Sequence, residues 1–383
     1  MQQDPRELAI HLFRIILNSL VERGGSDFHV RTNKPPYLRV HGELQPDVTQ
    51  EKMRKDMIEA LVKFLVGLTP NYSEAVYEEF CTKMIEDRCA NFSCSTTLVK
   101  DEYYLPDVRM RINCFADQDG VSVVGRILSD HIRSLKDLGF EPAVIDRIYS
   151  MCNKPSGLIL VTGPTGSGKT TTLAACLNHI NETRNCHIIT IEDPIEILYP
   201  QYYPNIAGSE IYKSLITQRE VPRDVQSFGY GLHDALRQDP NVILVGELRS
   251  LETLESALTA SETGHLVFAT LHTPGGFQTI NRIISAFPAD RANFVTQQLS
   301  VNLNCILSQR LLRRIDGAGR VLCYEYLENI DAIRAAIAKG DIKRIAQSMN
   351  HPCVQWNARL QELYDAQLIT EEVFVANRTD LQD

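Results

Sequence analysis

The run Gly163-Pro164-Thr165-Gly166-Ser167-Gly168-Lys169-Thr170 carries the most readable chemistry in the chain. Its glycines let the backbone curl until successive N–H groups point inward, a geometry that grips an anion. Lys169 adds a charge able to reach the β and γ phosphates of a nucleotide such as ATP, Thr170 offers a hydroxyl to Mg²⁺, and Thr171 leads on as a further contact residue. Leu158-Ile159-Leu160-Val161 precedes the run, and Thr172-Leu173-Ala174-Ala175-Cys176-Leu177, of helical composition, follows it. That order of strand, loop and helix adds the positive end of a helix dipole to the phosphate grip. The full spacing and both flanks separate it from a glycine-rich turn of purely structural use.

Hydrolysis needs further groups at the ends of neighbouring strands. Val242-Ile243-Leu244-Val245-Gly246-Glu247 reads as an apolar strand delivering a carboxylate at its C-terminal edge, where an acid can hold Mg²⁺ or its water. Ile188 to Ile191 delivers a second acidic group, Glu192-Asp193-Pro194-Ile195-Glu196. The expected division places Glu247 on the metal and Glu196 on the attacking water, and the reverse stays open. His272 follows a fourth strand, Leu266 to Thr270, where it can face the γ-phosphate and report its loss. Arg109 and Arg111 are two apart on an alternating strand and so share a face, and Arg126 lies near the end of the next strand. Strand arginines of this kind are most often solvated or paired with carboxylates.

These residues require two kinds of scaffold. From Leu158 onward the pattern alternates strand and helix, which indicates a parallel sheet covered by helices, an α/β arrangement. Two stretches inside it, Tyr199 to Pro204 and Gln218 to Phe228, resist assignment, and after Phe287-Pro288 the chain reads as mainly helical, with Phe294 to Leu312 the strongest case. The N-terminal part is a smaller α+β mixture. Residues 6 to 22 and 51 to 68 have helical spacing, short β-rich pieces run from Asp27 to Arg31 and from Tyr37 to Val40, and Val108 to Phe115 and Val121 to Ile127 flank a turn. Residues 81 to 107 read as an elaborated hairpin or loop. Ser129 to Gly139 reads as a linker, so residues 1–128 and 140–383 are the expected domains, and the acidic tail from Thr379 is expected to fray.

The 383 residues exceed the size at which single cores usually stop growing. Hydrophobic residues at 44% and charged residues at 23% describe an ordinary globular protein. The formal charge of -9 argues against a large constitutive nucleic-acid surface, and no stable nucleic-acid partner is expected. The 10 cysteines include no C-x-x-C pair, so free thiols in a reducing cytosol are the simplest account, even for Cys81, Cys89 and Cys94. The opening residues are polar, and no run approaches the ~20 apolar residues that span a bilayer. A cytoplasmic protein, meeting the membrane only through partners, is expected.

Four stretches in order resemble the Walker A, Asp box, Walker B and His box of the type II/IV secretion and type IV pilus ATPases: Gly163 to Thr170, Glu192 to Glu196, Leu236 to Arg249 and Thr259 to Thr273. The likeness is greatest to the PilT-like retraction group and its DotB/TraJ-like secretion and conjugation relatives. It extends to Ser26-Asp27-Phe28-His29, Pro35 to Gly42, Phe287-Pro288 and Ser308-Gln309-Arg310-Leu311-Leu312. The resemblance implies a PAS-like N-terminal domain, a RecA-like P-loop NTPase domain, and a homo-hexameric ring with nucleotide between domains. It further implies inner-membrane pilus or secretion platform proteins as partners, and arginines closing on the γ-phosphate, which Arg109, Arg111 and Arg126 match. The expected function is therefore an ATP-hydrolysing motor of a type IV secretion, conjugation or pilus machine, with a RecA-type nucleic-acid translocase as the alternative. Extension ATPases commonly carry a tetracysteine zinc motif, absent here, which tilts the expectation to the retraction and secretion branch. Ala332-Ile333-Arg334-Ala335-Ala336-Ile337 only partly resembles the helix motif of retraction ATPases, and residues 81 to 107 and Tyr199 to Pro204 resemble insertions suited to docking.

Overall fold

The computed structural model describes residues 4–40, 42–47, 52–69, 72–100, 103–128, 132–201, 211–317 and 319–379. Residues 129–131 of the expected linker, 202–204 of the Tyr199 to Pro204 segment and 380–383 of the tail lie outside them. The chain divides into two compact units, Met1–Asp130 and His131–Asp383.

Unit 1 runs α1 (Pro5–Glu22), β1 (Gly25–Val30), β2 (Tyr37–Val40), β3 (Glu43–Pro46), α2 (Lys55–Gly67), α3 (Glu74–Glu86), β4 (Cys89–Lys100), β5 (Tyr103–Asp117) and β6 (Gly120–Leu128). Asp4 caps α1 through the Arg6 amide, with Pro5 in the first turn, where a missing N–H costs nothing. The strands form one sheet in the order β3-β2-β1-β6-β5-β4. Leu12, Phe13, Ile16, Leu17 and Leu20 on α1 and Met57, Leu61 and Leu65 on α2 pack with Phe28, Leu38, Met110, Ile112 and Cys114 of the strands. One face of the sheet is thereby buried, and the other carries the alternate residues. Residues 81 to 107, expected as an elaborated hairpin or loop, begin in α3 and continue as β4 and β5, a long antiparallel pair. The helix escaped the sequence pattern because none of its residues is fully buried.

Unit 2 runs α4 (Pro142–Cys152), β7 (Gly157–Thr162), α5 (Lys169–Thr183), β8 (His187–Glu192), β9 (Leu215–Glu220), α6 (Phe228–Ala235), β10 (Val242–Val245), α7 (Leu251–Glu262), β11 (Leu266–Leu271), α8 (Gly276–Ser285), α9 (Ala289–Asn302), β12 (Leu303–Arg313) and β13 (Arg320–Glu328), followed by α10 (Asp331–Ala338), α11 (Ile342–Gln347), α12 (Trp356–Asp365) and α13 (Glu371–Asn377). Its sheet is ordered β13-β12-β7-β11-β10-β8-β9, parallel except for β13. Successive residues of β7 feed opposite cores: Leu158 and Leu160 join Ile189, Ile243 and Val267 on one face, and Ile159 and Val161 join Ile188, Val242 and Phe268 on the other. Burial on both faces explains why these strands read as unbroken apolar runs rather than alternating ones. Each fully buried side chain of this size contributes about 1.5–3 kcal/mol.

The helix expected from Phe294 to Leu312 is corrected at Leu303, where α9 ends and β12 begins without an intervening turn. Leu303 to Gln309 are all buried. A continuous buried run has no period to distinguish strand from helix, and pairing with β7 on one side and β13 on the other decides it. The Gln218 to Phe228 stretch resolves into the end of β9, a turn, and Ser227 as the N-cap of α6. Leu135, in the segment read as a linker, is fully buried in a core of unit 2.

Candidate active site

All the unit 2 residues singled out for chemistry follow the C-terminal ends of its parallel strands. Pairing aligns Thr162 with Leu271, Val245 with Ala269, and Val245 with Ile191. Gly163, His272, Glu247 and Glu192 therefore emerge at one edge of the sheet. The helix after β7 leads to β8, which pairs with β10 rather than β7. Such a reversal of strand order opens a crevice where ligands bind.

The glycine-rich loop is held by a floor as well as by its own turns. Gly163, Gly166 and Gly168 take φ of 139°, 76° and 92°, values that L side chains rarely adopt. A Cβ on Gly163 would fall 2.2 Å from the Gln309 carbonyl oxygen. The Gln309 side chain, 2% exposed, donates from Nε2 to the Ser167 carbonyl at 2.8 Å and accepts from Thr172 Oγ1 at 3.0 Å. Arg320 on β13 donates to the Gly166 carbonyl at 3.2 Å. Pro164, Thr165 and Gly166 form the exposed crest, while Ser167 is buried and Thr170 and Thr171 lie half-buried in the first turn of α5. Lys169 Nζ donates to the carbonyls of Gly163 at 2.8 Å and Pro164 at 3.1 Å. Desolvation lowers its proton affinity, and the charge of Glu247 acts in the opposite sense.

Glu247 sits on a turn fixed from both sides: Gly246 N–H donates to Ile191 O at 2.8 Å and Leu248 N–H to Thr270 O at 3.0 Å. Its Oε2 pairs with Arg249 at 2.7 Å, and its Oε1 lies 3.3 Å from His272 Nε2. Burial pushes the carboxyl up, but Arg249 and His272 outweigh it and leave Glu247 below the ordinary carboxylate range. The structure thus brings together Lys169, Glu247 and His272. Glu196 lies half-buried just beyond β8, in a segment anchored where Ile195 N–H donates to Glu220 Oε2 at 3.0 Å and Tyr199 N–H to Gln218 Oε1 at 3.2 Å. Arg109, Arg111 and Arg126 belong to unit 1, on β5 and β6.

Residues 102–378 match the family described as Type II/IV secretion system protein. The chain belongs to that family. It is 38% identical over 325 residues to the type IV pilus retraction ATPase PilT of Pseudomonas aeruginosa, covering 85% of this chain and 84% of that protein. The crystal structure of the pilus retraction motor PilT with bound ADP superposes with a TM-score of 0.81 at 37% identity, covering 96% of this chain and 97% of that one. The ATPase DotB of Legionella pneumophila shares the fold, with a TM-score of 0.77 at 24% identity over 95% of each chain. This family member is an ATPase of the secretion and pilus motor class, and unit 2 has the RecA-like P-loop fold. No helix among the described residues is long and apolar enough to cross a membrane.

Two residues of this ATPase acquire meaning only in three dimensions. Gln309 stands between Ser308 and Arg310, and its buried amide is visible as the floor of the loop only once β12 is placed beside β7. Glu192 is the other. At 7% exposure it accepts from Thr190 Oγ1 at 2.6 Å and from Gln218 Nε2 at 3.1 Å. Burial pushes its carboxyl up to about 7, against the pull of those two hydrogen bonds and with help from the nearby charges of Glu196 and Glu220. The native chain therefore holds this proton up to about pH 7, whereas the unfolded chain releases it near the ordinary value of 4.5. Unfolding releases a proton between those values, so stability falls as pH rises through that window, by roughly 3 kcal/mol. Glu192→Gln is expected to raise Tm at pH 8 and to narrow that gain at pH 5, as read by calorimetry of the full chain. An equal gain at both pH values would show that Glu192 is not the titrating group.

Proposed function

We propose that the chain is the subunit of a homo-hexameric motor that hydrolyses ATP at the cytoplasmic base of a type IV pilus, secretion or conjugation machine. In this reading it meets the inner membrane through platform proteins of that machine. Residues 1–128 act as a PAS-like domain, joined through 129–139 to the RecA-like ATPase domain. The observation that carries the proposal is the convergence of Lys169, Glu247 and His272 at the strand ends beside the glycine-rich loop. PilT and DotB, by name a pilus retraction motor and an ATPase, support the class of work.

The loop amides from Gly163 to Gly168 and the α5 N-terminus cradle the phosphates. Lys169 exchanges its loop carbonyls for phosphate oxygens. Thr170 and Glu247 supply hard oxygen donors suited to Mg²⁺, and the lowered proton affinity of Glu247 fits that use. Bound with nucleotide, Mg²⁺ offsets charge developing on the phosphoryl oxygens. Glu196 orients a water and takes its proton as oxygen attacks the γ-phosphorus and the bond to the bridging oxygen of ADP breaks. His272, touching Glu247, passes the loss of phosphate to the segment that follows it. Arg109, Arg111 and Arg126 furnish permanent charge to the γ-phosphate during turnover.

The full chain, mixed with ATP and Mg²⁺, is expected to release phosphate steadily and to assemble to six subunits by light scattering. Absence of turnover would overturn the proposal. So would turnover that requires DNA and fades steeply with salt, which marks a nucleic-acid translocase.

A further inference from the structure

The face of the unit 1 sheet opposite its core carries an unusual row. Phe28 faces the core, and a Cβ on its register partner Gly125 would lie 2.2 Å from the Phe28 ring. That close fit pins β1 to β6, because a slip of one residue would turn each side chain to the wrong face. The same register sets Asp27 opposite both Arg39 on β2 and Arg126 on β6, and Arg126 opposite Arg111 on β5. Three arginines and one aspartate thus lie side by side on four adjacent strands. Like charges directly opposite one another weaken a sheet, so a row of this kind departs from what folding alone favours.

Asp27 organises it. The residue is 4% exposed. Its Oδ1 accepts from Arg126 Nε at 2.7 Å, and its Oδ2 accepts from Ser26 Oγ at 2.6 Å, with Arg39 Nε 3.8 Å away. Arg39 is further tied by Nη1 to the Gly42 carbonyl at 2.9 Å. Burial lowers the proton affinity of His29, two residues along the same face; Asp27 pulls the other way, and Arg39 and Arg126 add to the lowering. The Arg126 side chain remains 59% exposed although its Nε is fixed. A guanidinium held through Nε keeps its two terminal nitrogens in a set plane, the fork that matches two oxygens of a phosphate.

We infer that Asp27 is a positioning residue: its buried carboxylate fixes the plane in which the Arg126 guanidinium presents its two terminal nitrogens to phosphoryl oxygens. This rests on the assignment of Arg126 to the γ-phosphate made above. A flexible arginine must be ordered during each turnover, whereas one already clamped by a rigid strand loses little freedom at that step.

The test is a double-mutant cycle on the full chain, with phosphate release measured across ATP concentrations for wild type, Asp27→Asn, Arg126→Ala and the double variant. Both single variants are expected to lower kcat by at least about tenfold with KM changed by less than about twofold. The double variant is expected to be no slower than Arg126→Ala, an outcome that a merely structural role for Asp27 would not produce. Full kcat in Arg126→Ala overturns the assignment of Arg126, and the inference with it. A slow Arg126→Ala with unimpaired Asp27→Asn, or with Asp27→Asn equally harmful in both backgrounds, overturns the inference alone. If Asp27→Asn does not fold, Asp27→Glu decides: it keeps the charge but moves the carboxylate by one methylene, so a fall in kcat with KM unchanged supports the clamp and kcat at the wild-type level overturns it.

Discussion

Glu196→Gln is expected to slow phosphate release by about 100- to 10,000-fold while ATP binds almost as tightly as before, the pattern of a lost base. The alternative base is Glu247, and its surroundings fit another role. Glu247 is gripped at both oxygens, by Arg249 at 2.7 Å and by His272 at 3.3 Å, and its affinity for a proton is lowered. A carboxylate stabilised in its charged form suits a cation better than the proton of an attacking water. Glu247→Gln is therefore expected to raise the Mg²⁺ concentration needed for half-maximal rate, and saturating Mg²⁺ should restore part of the loss. Phosphate release titrated with Mg²⁺ in the two variants separates the roles. Near-normal turnover in Glu196→Gln, with Glu247→Gln inactive at every Mg²⁺ concentration, would reverse them.

The second large effect is expected at Lys169. Its ammonium is half-buried and held by the Gly163 and Pro164 carbonyls, so it stands ready beside the loop before any nucleotide arrives. Lys169→Ala removes a cation from a partly desolvated site where two phosphates would meet it, and it also releases those carbonyls. Loss of a charge-assisted contact of this kind costs about 3–4 kcal/mol in the transition state, a fall of roughly 100- to 1,000-fold in kcat/KM. The structural share is smaller, about 1 kcal/mol for hydrogen bonds lost to a neutral acceptor. Phosphate release across ATP concentrations and thermal melting together check both shares. A kcat/KM within a few-fold of wild type would sink the assigned contact.

Much of the ATPase unit was legible because its chemistry is local. Strand β7, the glycine loop and α5 are consecutive, and the Val242 to Val245 run announces a buried strand that ends just before its acid. What escaped depends on partners far along the chain. β12 follows α9 without a break, and only the pairing of Leu307 with Val161 and Tyr326 shows that it is a strand. Gln309 lies in a stretch that resembles the family, yet its work on Ser167 and Thr172 spans more than a hundred residues. In unit 1, Arg109, Arg111 and Arg126 could be picked from alternation, but Asp27 and Arg39 could not. Alternation gives the face a residue occupies, whereas which residues stand side by side depends on register across four strands. The buried environment of Glu192 was hidden for a related reason, since Gln218, which donates to it, comes from β9.

The floor under the glycine loop has a consequence for how the molecule comes into being. Gln309 and Arg320, which brace the Ser167 and Gly166 carbonyls, are translated well over a hundred residues after the loop they support. A nascent chain emerging from the ribosome as far as α9 already holds the glycines, Lys169, Glu247 and His272, but lacks the Gln309 and Arg320 braces. The hand that holds phosphate is built early and its wrist late. The bracing of the loop is therefore completed only when β12 and β13 have been made.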